Sequence, residues 1–230
     1  MDSSVGRSVF LSASVLAAVI VVAGAAGDLL GWEGFLYKLR LDTELSVPAW
    51  YSSLLMFSAG ALAFSISAAE RRAGLRTANG WFAVAVLFFY FSLDEMVSIH
   101  EHFADGIPDL GPANALGVFR WVVVGLALVV IVGALFVPFL LRLPRRTALL
   151  LFVGGAVFVT GAVGFELLGA YAEISAGFRT FLYYVITSLE EALELAGVLI
   201  TIYAMMKYRE SWTVAAQPFA TSAANASNSG

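Results

Sequence analysis

Residues 147–170 read TALLLFVGGAVFVTGAVGFELLGA, 24 residues with a single ionisable side chain, Glu166. About 20 mostly apolar residues suffice to cross the hydrocarbon of a bilayer as an α-helix. A membrane-barrel strand needs only about 10 residues of alternating polarity, so this run is too long and too continuous to be one. A backbone amide in lipid has no water to bond, which leaves the helix as the form available. The stretch therefore predicts an all-α integral membrane protein. It also sets one carboxyl near the end of a span.

Working outward, five more apolar segments appear, at 8–30, 48–69, 80–103, 117–141 and 178–206. Six spans of this length use most of a 230-residue chain. We therefore read 1–210 as one transmembrane domain, a bundle of about six helices, with no separate soluble unit. The Ala-, Ser- and Asn-rich stretch 211–230 reads as a disordered cytoplasmic tail. Hydrophobic residues make up 60% of the chain and charged residues 13%, where a soluble domain carries about 25% charged. The chain has no cysteine. Disulfides, thiolate metal sites and catalytic thiols are excluded. A net charge of −4 gives no reason to expect nucleic acid as a partner.

Arg7 precedes an apolar run that ends in Ala23-Gly24-Ala25, like a signal-peptide cleavage site. The run is long for a signal core and Asp28 continues it, so we read a retained first helix. Cleavage would leave five spans in the same orientation. Orientation follows from the basic residues of short loops. Arg71, Arg72 and Arg76 follow the second span, Arg142, Arg145 and Arg146 the fourth, and Lys207 and Arg209 the sixth. Both termini are thus expected in the cytoplasm, and the protein in a bacterial inner (plasma) membrane. Glu33, Asp42, Glu44, Asp105, Asp109 and Glu173 mark the outer loops, with Lys38 and Arg40 as exceptions. Asp28 reads as a helix end at the outer surface.

The acids inside the spans point to a site. At about 100° per residue, Tyr90, Asp94, Ser98, Glu101 and Asp105 share one stripe of the third span. Glu95 and His102 flank that stripe, and His100 points away from it. In the sixth span Tyr183, Thr187, Glu190, Glu194, Gly197 and Thr201 share a face, with Glu191 at its edge. The fifth span adds Glu166, with Gly155 and Ala162 on the same side as small residues for close helix approach. Asp94 and Glu95 fall roughly 12 Å below the outer end of their span, and Glu190 roughly 15–18 Å below its own.

Each central charge costs about 2.5–3.5 kcal/mol to place in the bilayer. For Asp94, Glu95, Glu166, Glu190, Glu191 and Glu194 together the cost is on the order of 10 kcal/mol. No lysine or arginine lies within the spans to offset it, and Arg120 and Arg179 stand only at their edges. Protons, a metal ion or both must then supply the positive charge.

The segment Ser92-Leu93-Asp94-Glu95 with His100-Glu101, the stretch Gly161 to Glu166, and Glu190-Glu191 to Glu194 and Gly197 resemble a group of uncharacterised bacterial multi-pass membrane proteins. That resemblance implies no activity. The layout is also similar to carboxylate-bridged di-metal bundles, which use a Glu-x-x-His pair. None occurs here; Glu191-x-x-Glu194 is the nearest spacing. Lacking a lysine inside any span, the chain cannot form a retinal Schiff base.

The pattern predicts a divalent metal site of iron, manganese or zinc. Asp94, Glu95, His102, Glu190, Glu191 and Glu194 are its expected ligands, with Glu101 or Glu166 as a catalytic base. Such a site would serve a metal-dependent membrane enzyme acting on a lipid-soluble substrate. The alternatives are a proton- or cation-coupled transporter using the same acids, and a non-catalytic assembly subunit. No sequence pattern in the chain encodes an oligomeric state.

Overall fold

The computed structural model describes residues 3–41, 43, 45–100, 116–177 and 179–227. Among them every regular element is helical and no strand occurs. The order is α1 (Ser3–Leu30), a 3-10 turn (Gly34–Leu39), α2 (Val47–Arg72), α3 (Ala78–Val97), α4 (Leu116–Leu140), α5 (Arg145–Val159), a π-helical segment (Thr160–Phe165), α6 (Glu166–Ala176) and α7 (Phe181–Ser227). The all-α fold expected from the sequence is the observed one. The last helix, α7, runs to Ser227.

Four described helices are long and apolar enough to cross a membrane: Ser4–Leu30, Val47–Arg72, Ala78–Val97 and the continuous rod Arg145–Ala176. Val124–Leu140 is apolar but shorter. The last helix is long, but Glu190, Glu191 and Glu194 interrupt its apolar run. Large apolar side chains such as Val19, Leu135, Phe152 and Leu141 face outward.

Local chemistry fixes the joints. Ser46 caps α2, its Oγ accepting from the Ala49 N–H at 3.2 Å, with Pro48 in the first turn, where it costs no backbone bond. After Arg72 the chain reverses through Gly74 at φ 70°, and the Leu75 N–H returns to the Glu70 carbonyl at 3.0 Å. This reversal lays α3 along α2. Small residues line their seam: Ala59, Ala63 and Ala85 are fully buried, and a Cβ on Gly60 would meet the Phe89 ring at 2.8 Å.

A second close seam joins α5 to α7. A Cβ on Gly154 would lie 2.5 Å from Thr201 Oγ1, and one on Gly197 would lie 2.6 Å from the Phe158 nitrogen. Between the seams sits a packed core around Trp81, whose ring meets Phe139 edge-on at 5.2 Å and Tyr208 at 5.1 Å. Met56, Val198 and Met205 complete it. Glu70 is buried at this end of the bundle and accepts from the Tyr208 hydroxyl. Burial, and then that hydrogen bond, push the Tyr208 hydroxyl up to about 12. We call the opposite end, with the 3-10 turn, the outer end, after the arginine pattern.

Candidate functional site

At the outer end the same helices do not close. They leave a cavity of about 690 Å³. The carboxyls of Asp94, Glu95, Glu166, Glu190, Glu191 and Glu194 all line it. Each is half-buried, so each belongs to the cavity wall rather than to packed core. Tyr183, Thr187, Glu190, Glu191 and Glu194 set one wall along about 16 Å of α7. Met56, Phe91 and Phe158 supply an apolar patch. Lys38, Arg179 and Glu173 also reach the lining. Basic groups thus stand at a site where residue spacing places acids alone. Glu101 and His102 lie outside the described residues.

Two departures from α-helix shape the site. The first ends α3. The sequence predicts one helix to residue 103, whereas the structure stops it at Val97 and puts Ser98 in the left-handed region at φ 51°. A non-glycine residue rarely adopts this conformation. Asp94 and Glu95 occupy the last turn, where the helix dipole is negative and no basic side chain compensates. Asp94 instead turns to the chain beyond the break. Its Oδ1 accepts the His100 backbone N–H at 2.9 Å, and its Oδ2 lies 2.8 Å from His100 Nδ1. His100 therefore lines the cavity, although helical spacing points it away. That spacing does not hold once the helix has stopped.

The second departure is the π-helical segment Thr160–Phe165, directly before Glu166. A wide turn of this kind often marks a functional site. It also moves the register by one residue. Uninterrupted α-spacing places Gly155 and Ala162 beneath Glu166. Ala162 does line the cavity, but a Cβ on Gly155 would meet nothing within 4 Å. Close approach falls instead to Gly154 and Gly161. A Cβ on Gly161 would lie 2.8 Å from the Glu190 carbonyl and 2.9 Å from Glu194 Cγ. The backbone of the π-helical segment thus lies against two of the three cavity acids of α7.

Sequence reasoning also misses a buried ion pair beside the cavity. Asp28, expected at the surface, is 2% exposed. Its Oδ1 accepts from Arg40 Nε at 2.9 Å and its Oδ2 from the Leu41 N–H at 3.1 Å. Arg40 Nη2 donates to the Tyr184 hydroxyl at 3.0 Å. Burial works against the Arg40 charge, but Asp28 and Tyr184 outweigh it and hold the guanidinium above its ordinary value. The available signal is Arg40 itself, an arginine in an outer loop that the charge rule leaves unexplained.

Among the described residues, no three His, Asp or Glu side chains are grouped so that they could hold a metal ion. A family match runs from residue 9 to residue 208 and takes in elements on every side of the cavity. The chain belongs to the family described as a domain of unknown function, DUF8692. No curated protein and no solved structure matches it. The DUF8692 span includes most of α1, the outer loop with Arg40, the six cavity acids of α3, α6 and α7, and Tyr208.

Proposed function

We propose that the chain is a six-span protein of the bacterial inner membrane, with both termini cytoplasmic, that carries protons or a cationic solute through the acidic cavity. One observation carries this reading: six carboxyl side chains from three stretches of helix face one solute-sized cavity. Carboxyls held in or near lipid need positive charge, and an open cavity lets that charge come and go. The two helix irregularities fall on the cavity wall, at Ser98 and at Thr160–Phe165. Non-helical backbone at membrane depth is tolerated where it lines a cavity. Discontinuous helices are also how many carriers form their ion sites.

The test is flux in liposomes holding the purified full chain and a pH-sensitive dye. A pH gradient serves as the driving force and tetramethylammonium, which has no proton to lose and so cannot cross lipid as a neutral amine, as the probe. The wild type should move protons, or tetramethylammonium against protons. Glu190→Gln and Glu194→Gln should fall to the level of empty vesicles while remaining folded in detergent. Wild-type protein that is folded yet no more permeable than lipid alone, to either probe, would sink the proposal.

A second reading has one observation in its favour. A histidine held by a carboxylate through Nδ1, as His100 is by Asp94, is the usual outer-shell arrangement of a metal-bound imidazole. Under that reading the protein is a metal-dependent enzyme for a lipid-soluble substrate, with His100 in the place that helical spacing gives to His102. Stoichiometric iron, manganese or zinc in the same preparation, without flux, would select it.

A further inference from the structure

We propose that residues 31–41 form a lid over the acidic cavity, hinged at Gly31 and Gly34 and latched by the Asp28–Arg40–Tyr184 contact, so that Arg40 sets access to the cavity from outside its wall. Four observations converge on this. Tyr37, Lys38 and Leu41 line the cavity, so the segment covers part of it. Within the 3-10 turn Gly34–Leu39 no residue is buried, and Phe35 is 86% exposed. A segment that buries so little apolar surface is of the kind that opens locally before the rest of a fold.

The hinge is the third observation. Gly31 and Gly34 have φ of 62° and 60°, and a Cβ on either would meet nothing within 4 Å. Two permissive residues in open space can change backbone angles without a clash. The latch is the fourth. Arg40 is 7% exposed and Asp28 2%, and their pairing ties the lid to the end of α1, while Arg40 Nη2 reaches the Tyr184 hydroxyl on the cavity-facing helix α7. Leu41 seats against Gly24 beside it, where a Cβ would lie 2.6 Å from Leu41 Cγ. Of residues 31–41 only the last two, Arg40 and Leu41, are buried, while Trp32, Tyr37 and Leu39 are half-buried and the rest exposed. Losing the charge on one side of a buried pair leaves the other uncompensated, which favours the state in which water reaches it.

Arg40 is a positioning residue in this scheme, and its role can be read without any transport assay. The inference rests on the cavity of the proposed function but not on what moves through it. If the lid fails while flux is present, only the lid is wrong. The chain has no native cysteine, so Thr187→Cys gives a single reporter on the cavity wall. A charged maleimide is added to the full chain in detergent, and the modification rate is followed by mass spectrometry. Arg40→Ala should raise that rate by about tenfold or more, with Tyr184→Phe giving a smaller rise. A control reporter at Ile174→Cys, exposed and not part of the cavity lining, should react at one rate in both backgrounds. An unchanged rate at position 187 in folded Arg40→Ala protein overturns the lid, as does an equal rise at position 174, which would mean general loosening.

Should Arg40→Ala not fold, the opposite manipulation still decides. Gly24→Cys with Leu41→Cys places two thiols across the contact described above, within disulfide reach. Oxidation should then slow modification at position 187 by about tenfold relative to the unoxidised protein, by removing local opening. Equal rates before and after oxidation would overturn the lid as well.

Discussion

The two ends of the bundle use the same helices to opposite effect. At the inner end α2, α3 and α7 close around Trp81, Met205 and Val198, all 1% exposed or less. One carboxyl, Glu70, is buried there, and it has a partner in Tyr208. At the outer end α3 and α7, now with α6, carry six carboxyls and leave about 690 Å³ unfilled. A buried acid can be absorbed by a packed core when a single donor reaches it. Several acids on converging faces cannot be, because each neighbour adds repulsion and none is a donor while ionised. The contrast separates a carboxyl that joins helices from carboxyls that hold them apart.

The largest test of that contrast lies along the seam of α5 with α7. Gly197 and Gly155 both sit in helices, but only Gly197 meets backbone, since a Cβ there would stand 2.6 Å from the Phe158 nitrogen. Gly197→Leu should lower stability in detergent by at least about 3 kcal/mol, or abolish folding, because a rigid backbone cannot yield. Gly155→Leu should change it by less than about 1 kcal/mol. Equal effects, read as thermal midpoints, would mean that the seam does not hold the bundle together.

Next in size is a comparison of carboxyls. Glu70→Ala leaves the Tyr208 hydroxyl without its acceptor and should cost about 2 kcal/mol. Glu190→Ala removes one acid from a crowded wall and should be neutral or slightly stabilising. A large loss at position 190 would show that the outer acids are structural, and the carrier reading would lose its basis.

The smallest effect is the hydroxyl itself. Tyr208→Phe should cost about 1 kcal/mol at neutral pH. Its sign with pH follows from the raised value. The unfolded tyrosine ionises near 10.0, the folded one near 12. The stability contributed by the neutral hydroxyl is fully present below 10.0 and is lost as pH rises to about 12. Melting curves across that interval should fall more steeply for the wild type than for Tyr208→Phe.

Much of the site can be read from residue spacing, and the failures have definite causes. Alpha-periodicity puts Asp94 and Glu190 each on a polar face of its own helix and Glu166 near a helix end, and the three do line one cavity. Periodicity assumes an unbroken helix, and it misplaces His100 and Gly155 at the two points where the helix is broken or widened. Nothing in Thr160–Phe165 announces a π-turn, because its small residues suit any helical form. The Asp28–Arg40 pair spans 12 residues and a turn. No single helix face contains both, so a face-by-face reading treats each charge as a surface residue.

The wide turn before Glu166 has one more consequence, and it concerns ancestry. A π-turn is what a single extra residue produces in an α-helix that keeps its ends fixed. Deleting one residue from Thr160–Phe165 would close the wide turn into a regular α-turn and leave Glu166 and the helix beyond it where they stand. The gain or loss of one codon here is thus absorbed by the turn, and the carboxyl keeps its place on the cavity wall. Among sequences that share this fold, chain length between Gly154 and Glu166 should vary by one residue without loss of the carboxyl.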